Sequence, residues 1–220
     1  MSVYVLVHGG NVSTQTWNSL VPGSLAQTPD GKMGGAVWQL AARPLMALGH
    51  KVYAPTLGDE HLFGLNAHVE QVCSLLESEN LENVVLAGHS YGGMVITGAG
   101  SRMAERVGRL VYLDAALPDS GQSLFDCLSS SGLDPLAEIP GLERTKAYEE
   151  KLYFDPEPLK KLKKTFIRCT ESELRRFVDV SVSKIERSPE NWTVRELHSG
   201  HLAPATHPEE LSRLLIEAAV

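Results

Sequence analysis

The chain alternates short, almost wholly apolar segments with longer segments that carry apolar residues at helical spacing. The apolar segments are typical of β-strands and cover residues 3–7, 51–55, 83–88, 109–114, 164–169 and 192–197. Between them, apolar side chains recur three or four positions apart, as in Val69, Val72 and Leu76, and a last helix is predicted from Pro208 to Ala219. Strands that are apolar on both faces need cover on both faces, which helices flanking a parallel sheet provide. We therefore predict an α/β fold with a mostly parallel sheet.

Two segments interrupt this alternation. Residues 20–36 are rich in Gly and Pro, and we expect them to form a loop inserted before the first helix. Residues 118–163 show short helical stretches without a strand pattern, as in a lid inserted between two strands. Since 220 residues suffice for one domain, we expect a single domain over residues 1–220 with 118–163 as its lid. Five apolar side chains of this segment are candidates for lining a pocket or for packing the lid on the core: Leu124, Phe125, Leu128, Leu133 and Leu136.

The composition argues against several classes of protein. With 20 basic and 27 acidic side chains the net charge is −7, which disfavours binding to nucleic acid or to an anionic membrane. Cys73, Cys127 and Cys169 are widely spaced, in a pattern that suggests neither a disulfide framework nor a zinc site. The apolar run at residues 3–7 is too short for a signal peptide and is predicted to be a strand. We expect a cytoplasmic protein whose partner is a small molecule.

The sequence "LAGHSYGG" places Ser90 at the centre of a G-x-S-x-G motif. An apolar strand leads into the motif, and small and apolar residues compatible with a helix follow it. Glycines two positions before and after the serine allow a tight turn that lifts its hydroxyl out of the sheet, and the following helix directs unpaired N–H groups toward it. We predict that Ser90 is a nucleophile.

A serine hydroxyl needs a base, and the end of the chain offers three histidines. His198 lies at the end of a strand, and His207 immediately precedes a helix start, where a protonated ring would face positive partial charge. His201 lies in the loop between them, next to Gly200, and we predict that it is the base. His61 and His68 lie in or near a helical segment and are expected to be solvent-facing or packed.

"HGG" directly follows the first strand, which brings Gly10 to the same edge of the sheet. A backbone N–H from Gly10 and another from Tyr91, the residue after Ser90, would form an oxyanion hole. On its own, the glycine-rich turn would have a purely structural explanation. Together with the serine motif, it favours a catalytic role.

These motifs resemble the α/β-hydrolase fold, and specifically the group that contains plant methyl esterases, hydroxynitrile lyases and small bacterial esterases. The resemblance rests on "VHGG", "GHKVYAPTLGD", "LAGHSYGG", "LVYLDAALPDSGQS", "FIRCT" and "SGHLAPATHPEEL", and it covers almost the whole chain. It implies a nucleophile, an acid and a histidine in this order along the chain.

The resemblance leaves the acid open. The usual acid of the group ends a C-T-E-D sequence, but Ser172 stands at that place here, with Glu171 and Glu173 beside it. Both glutamates are also explained by a helix start. Other α/β-hydrolases, the haloalkane dehalogenases among them, take the acid from the end of the preceding strand, which here reads "YLDAALP". We favour Asp114 over Glu173, with Asp119 as a further alternative.

The resulting hypothesis is a serine hydrolase that cleaves a small, largely apolar carboxylic ester through an acyl-enzyme intermediate, without a metal or cofactor. Two alternatives remain. A ligand-binding protein with little turnover is suggested by the serine at position 172. A hydroxynitrile lyase is disfavoured, because the lyases of this group have a lysine after the base, whereas Leu202 follows His201 here. The oligomeric state remains open.

Overall fold

The computed structural model describes residues 1–10, 12–139 and 141–220. In this part of the chain six strands form one sheet: β1 Val3–Val7, β2 Lys51–Tyr53, β3 Val84–His89, β4 Val107–Leu113, β5 Lys163–Cys169 and β6 Trp192–Leu197. Their order is β2-β1-β3-β4-β5-β6, and every neighbouring pair is parallel. The predicted α/β fold with a mostly parallel sheet is confirmed, and the sheet is parallel throughout.

The strands are connected and flanked by helices. In the described residues these are α1 Thr14–Leu20, α2 Gln39–Ala47, α3 Leu65–Ser78, α4 Gly92–Arg102, α5 Leu124–Ser130, α6 Pro135–Glu138, α7 Lys146–Glu149, α8 Glu157–Lys161, α9 Arg175–Arg187, α10 Ala203–Thr206 and α11 Pro208–Ala218. A 3-10 helix, Gly34–Trp38, leads into α2. Within the described part of the chain, none of the helices has both the length and the apolar character needed to cross a membrane.

Two apolar layers enclose the sheet. In β1, Val5 and Val7 belong to one layer and Tyr4 and Leu6 to the other, as expected when successive side chains point to opposite faces. The first layer is completed by α3, α4, α5 and α9, and the second by α2 and α11. Both faces of the sheet are therefore covered, so the strands themselves can be apolar throughout.

Two of the six predicted strands, 3–7 and 192–197, have the observed bounds, and the bounds of the other four differ by one or two residues. The second strand ends at Tyr53 instead of residue 55, and the fourth runs over Val107–Leu113 instead of 109–114. The acid of "LVYLD" therefore lies just beyond its strand. This shift matters for the site, because the first residue after a strand is free to turn away from the sheet.

The prediction that residues 20–36 precede the first helix is wrong, because an earlier helix, α1, ends at Leu20, where this segment begins. This helix has only seven residues and one buried side chain, Trp17, so it is too short to show a helical repeat of apolar residues. The side chain of Ser13 caps it by accepting the N–H of Thr16. The loop returns to the start of α1, where the Thr14 N–H donates to the Gly31 carbonyl oxygen over 2.8 Å.

Candidate active site

Ser90 lies in a tight turn between β3 and α4. Its φ angle is +54°, a left-handed conformation that costs a residue with a side chain roughly 1–3 kcal/mol. A Cβ atom at Gly88 would lie 2.5 Å from the Gly92 carbonyl oxygen, and one at Gly92 would lie 2.7 Å from the Val7 carbonyl oxygen. The predicted strand, turn and helix are therefore present, and the flanking glycines are required by close backbone contacts.

Asp114, the first residue after β4, contacts His201. Its side chain is fully buried, and its Oδ2 atom lies 2.7 Å from Nδ1 of His201, although the two residues are 87 positions apart. The Asp114 φ angle is +44°, and its N–H donates to the Ile167 carbonyl oxygen over 2.8 Å. An unpaired buried carboxylate would cost several kcal/mol. The acid that follows this apolar strand thus has a partner.

The contact determines which ring nitrogen of His201 carries the proton. An ionised carboxylate can only accept hydrogen bonds, so Nδ1 of His201 is the donor to Asp114. Nε2 of the neutral ring is then the basic nitrogen. Such a pair can take up a proton at Nε2 and stabilise the resulting imidazolium with the buried carboxylate.

Two of the alternative acids make other contacts. Oε2 of Glu173 accepts the backbone N–H of His201 over 3.0 Å, so Glu173 holds the loop rather than the ring. Asp119 forms an ion pair with Lys184, with 2.9 Å between Oδ2 and Nζ. Of the acids considered from the sequence, Asp114 is the one in contact with the imidazole of His201.

The two neighbouring histidines lie outside the site. The exposed His198 contacts Thr170 Oγ1 through Nδ1 at 3.1 Å and Glu171 Oε1 through Nε2 at 3.4 Å. Glu171, the third alternative acid, is thus engaged at the surface. His207 is the N-cap residue of α11, and its Nδ1 lies 3.0 Å from Thr206 Oγ1.

A cavity of about 370 Å³ brings the predicted site residues together. Ser90, His201, Gly10 and Tyr91 all line it. Its apolar lining includes Leu124, Leu128, Ile139, Leu142, Leu174 and Phe177, and its charged or titratable lining includes Lys32, Glu60, His61 and Glu143. Among the described residues, no group of three or more His, Cys, Asp or Glu side chains is placed to hold a metal ion.

The candidate lid residues divide between two places. Leu124 and Leu128 line the cavity. Phe125, Leu133 and Leu136 instead line a separate groove beside α5 and α6. The short helix α5 therefore presents one side to the cavity, which its sequence alone does not reveal.

The predicted oxyanion donors, Gly10 and Tyr91, lie beside Ser90 on the cavity wall. Tyr91 is the N-cap residue of α4, an 11-residue helix whose amino end carries positive partial charge. The loop after β1 approaches Ser90 closely, since a Cβ atom on Gly9 would lie 2.7 Å from the Ser90 Cβ. The Tyr91 side chain is held by His68, with 2.9 Å between the hydroxyl and Nδ1. This arrangement can stabilise negative charge on the carbonyl oxygen of an acyl group that Ser90 Oγ attacks.

Two buried histidines support the site, and sequence reasoning missed both. Nε2 of His89 lies 2.8 Å from the His201 carbonyl oxygen, and the two rings are 4.6 Å apart. Nε2 of His8 accepts the N–H of Leu57 over 3.0 Å, while its Nδ1 lies 2.8 Å from the Gly9 carbonyl oxygen. Burial lowers the pKa of His89 to about 3 and that of His8 to about 4. Their only sequence signal is their position inside "HGG" and "GHS".

Acidification is expected to destabilise the protein, because folded His8 and His89 resist protonation. Below the ordinary histidine pKa of about 6.5 the unfolded chain binds more protons than the folded one, down to the lowered pKa values. Each such histidine therefore makes the free energy of unfolding fall by about 1.4 kcal/mol per pH unit in that window. His89→Gln keeps an N–H for the His201 carbonyl and loses one of these two contributions. In this variant the free energy of unfolding, measured with urea at several pH values, should fall about 1.4 kcal/mol less per pH unit than in the wild type.

His198→Gln is the matched control, since the His198 side chain is 83% exposed. The contribution of the buried His89 should persist in this variant. An unchanged slope in His89→Gln would mean that His89 is not held neutral in the folded protein.

The chain is similar to two curated proteins. It is 38% identical over 136 residues to a carbendazim hydrolyzing esterase of Nocardioides sp. (strain SG-4G), a match that covers 58% of this chain and 48% of the relative. It is 28% identical over 127 residues to a putative methylesterase 11, chloroplastic, of Arabidopsis thaliana, covering 57% of this chain and 29% of the relative. The match thus spans about half the length of the first relative and less of the second.

Among solved structures, polyneuridine aldehyde esterase has the same fold, with a TM-score of 0.72, 18% identity, and coverage of 99% of this chain and 98% of that one. A family model described as the alpha/beta hydrolase family matches residues 4–192. The matched range contains Ser90 and Asp114 and ends before His201. Because it covers most of the chain and agrees with the motifs quoted above, this protein belongs to the alpha/beta hydrolase family.

Proposed function

We propose that this protein is a serine hydrolase that cleaves a small, largely apolar carboxylic ester through an acyl-enzyme intermediate. One observation carries the proposal: Asp114 Oδ2 lies 2.7 Å from Nδ1 of His201, and His201 shares a cavity with Ser90. Nucleophile, base and buried acid are the groups that acyl transfer to serine requires. The names of the two curated relatives, both esterases, support ester hydrolysis.

The reaction would proceed in two halves. Oγ of Ser90 bonds to the ester carbonyl carbon while Nε2 of His201 takes the hydroxyl proton, and the N–H groups of Gly10 and Tyr91 bind the oxyanion. The bond to the alcohol oxygen then breaks, and His201 gives its proton to the departing alcohol. A water molecule repeats these steps on the acyl group, which releases the carboxylic acid and free Ser90.

Asp114 would keep the proton of neutral His201 on Nδ1 and stabilise the imidazolium that forms in each half. The alternative of a binding protein without turnover was based on the serine at position 172, where an acid is usual. Asp114 supplies a buried carboxylate to the same histidine from another strand. That reason for preferring a binding protein is thereby removed.

The charges around the cavity favour an uncharged substrate. Nζ of Lys32 lies 3.1 Å from Glu60 Oε1 and 3.6 Å from Asp59 Oδ2, so two carboxylates offset this one cation. Nε2 of His61 lies 3.4 Å from Glu143 Oε2. A substrate carboxylate would be repelled by the excess of acidic side chains around the cavity. It would also lose hydration against the apolar side chains.

Residues 118–163 would act as the lid of this site. In this segment, α5 contributes Leu124 and Leu128 to the cavity wall, and α7 contributes Tyr148. Covering the cavity excludes water from the reacting groups and strengthens the interactions that stabilise the oxyanion. The lid would therefore select substrates by apolar contact.

We place the activity in the cytoplasm. Cys73, Cys127 and Cys169 are unpaired and buried, and burial raises the pKa of Cys73 to about 11. Thiols that remain reduced are typical of a reducing compartment.

The protein is expected to hydrolyse p-nitrophenyl pentanoate and to prefer it, in kcat/KM, at least about 10-fold over the p-nitrophenyl monoester of glutaric acid. The two acyl groups have similar length. The pentanoyl group ends in a methyl group, and the glutaryl group ends in a carboxylate. The measurement is the release of p-nitrophenol, with each rate divided by the rate without protein.

Glu143→Gln removes one acidic charge from the cavity wall and should reduce this preference a few-fold. If neither ester is hydrolysed, the proposed reaction is wrong. If the glutarate ester is preferred, the reaction stands and the proposed substrate class is wrong.

A further inference from the structure

The Asp114 carboxylate accepts hydrogen bonds from three donors. Oδ1 accepts the backbone N–H of Cys169 over 3.0 Å. Oδ2 accepts two, from Nδ1 of His201 at 2.7 Å and from the hydroxyl of Ser172 at 2.5 Å. The histidine and the serine therefore share one oxygen atom.

The surroundings of Ser172 fix the direction of its hydroxyl proton. The side chain is 7% exposed and lies in the turn after β5, where the Ser172 N–H donates to the Cys169 carbonyl oxygen over 3.3 Å. Its Oγ accepts the backbone N–H of Leu174 over 3.2 Å. Because Oγ accepts this N–H through a lone pair, its own proton points to Asp114 and is donated to Oδ2.

A donor on the shared oxygen has two effects on His201. It holds Oδ2 in place opposite Nδ1, so the imidazole keeps one orientation. It also takes up part of the negative charge on Oδ2, so less of that charge stabilises a protonated ring. The Ser172 hydroxyl thus affects both the position and the charge of the acid.

We propose that Ser172 is a positioning residue for the reaction, acting on His201 through the shared Oδ2 atom of Asp114. This inference rests on the proposed function. Ser172 does not line the cavity, so it acts without touching substrate. Its removal should change the behaviour of the base and leave substrate binding unchanged.

For Ser172→Ala we expect kcat for p-nitrophenyl pentanoate to fall roughly 10-fold or more, the effect of losing a hydrogen bond to a charged group, with KM unchanged. The acidic limb of the profile of kcat against pH should move to higher pH by roughly half a unit or more, because Oδ2 then holds the imidazolium more strongly. Ser172→Thr keeps the hydroxyl and should restore most of kcat and the pH profile.

Ser181→Ala is the matched control. Ser181 is likewise buried, at 3% exposure, and its hydroxyl donates to the carbonyl oxygen of Ala115, next to Asp114, over 3.3 Å. This variant loses a buried hydroxyl of the same neighbourhood without touching the carboxylate. It should keep the wild-type kcat and pH profile.

A second measurement does not depend on turnover. The proton on Nδ1 of His201 has its own NMR resonance, which is assigned by its absence in His201→Gln. In Ser172→Ala this resonance should move downfield, because the hydrogen bond to Oδ2 strengthens when its competitor is removed. An unmoved resonance, or a lower melting temperature with the wild-type kcat and pH profile, would overturn the role of Ser172. A moved resonance in a protein that hydrolyses no ester would instead support the role of Ser172 and refute the proposed function.

Discussion

Ser90→Ala is expected to lower kcat for p-nitrophenyl pentanoate by at least about 10⁴-fold. Alanine lacks the oxygen atom that would form the acyl-enzyme, and the remaining groups cannot replace a nucleophile. The turn should persist, because the close contacts of the flanking glycines are unchanged and alanine is no larger than serine. We therefore expect a melting temperature near that of the wild type.

A phosphonate probe that labels activated serines provides a second readout. Wild-type protein should take up one probe molecule at Ser90, and Ser90→Ala should take up none. Ser101→Ala is the control, because Ser101 lies in the same helix, α4, and its hydroxyl donates to the Asp155 carbonyl oxygen away from the cavity. Labelling of Ser90→Ala, or hydrolysis by this variant at a rate near that of the wild type, would place the nucleophile elsewhere.

Asp114→Asn is expected to lower kcat by about 10³–10⁴-fold. The asparagine amide can donate to Nδ1 of His201, which moves the ring proton to Nε2 and leaves no lone pair to accept the proton of Ser90. The residue has nearly the same volume, so the cavity should keep its shape. The measurement is single-turnover hydrolysis, which separates the acylation step from product release.

Glu173→Gln is the matched control for the acid. Gln at this position keeps an oxygen that can accept the backbone N–H of His201, which Glu173 accepts over 3.0 Å. We expect kcat within about 3-fold of the wild type, because the uncharged amide oxygen can accept the same N–H and only the charge is lost. If Glu173→Gln abolishes hydrolysis while Asp114→Asn only lowers stability, the acid has been assigned to the wrong residue.

Local and non-local features of this site differ in how well they could be predicted from the sequence. The turn at Ser90 is local: strand, glycines and helix follow each other directly, so the motif and the segments on either side of it suffice to predict the turn. The contact between Asp114 and His201 joins residues 87 positions apart. It depends on the order of strands in the sheet and on a one-residue shift at the end of β4, which patterns of apolar residues do not specify.

The roles of Ser172 and His89 could not be predicted from the sequence for a related reason. The side chain of Ser172 faces Asp114 because β5 lies next to β4. His89 contacts the His201 carbonyl because the last loop folds back over β3. In both cases the residue type permits many roles, and only the packing of distant segments selects one of them. The helix α1 was missed for the opposite reason, since it is local but too short to show a period.

The meeting of two strand ends at the Oδ2 atom of Asp114 bears on how such a site can diverge. One side chain reaches this point from the end of β4, and another reaches it from the turn after β5. An acid gained at position 172 and later lost at position 114 would transfer the charge between strands while His201 stays in place. In such a protein the carboxylate would stay next to His201, and the position in the sequence that supplies it could change from 114 to 172.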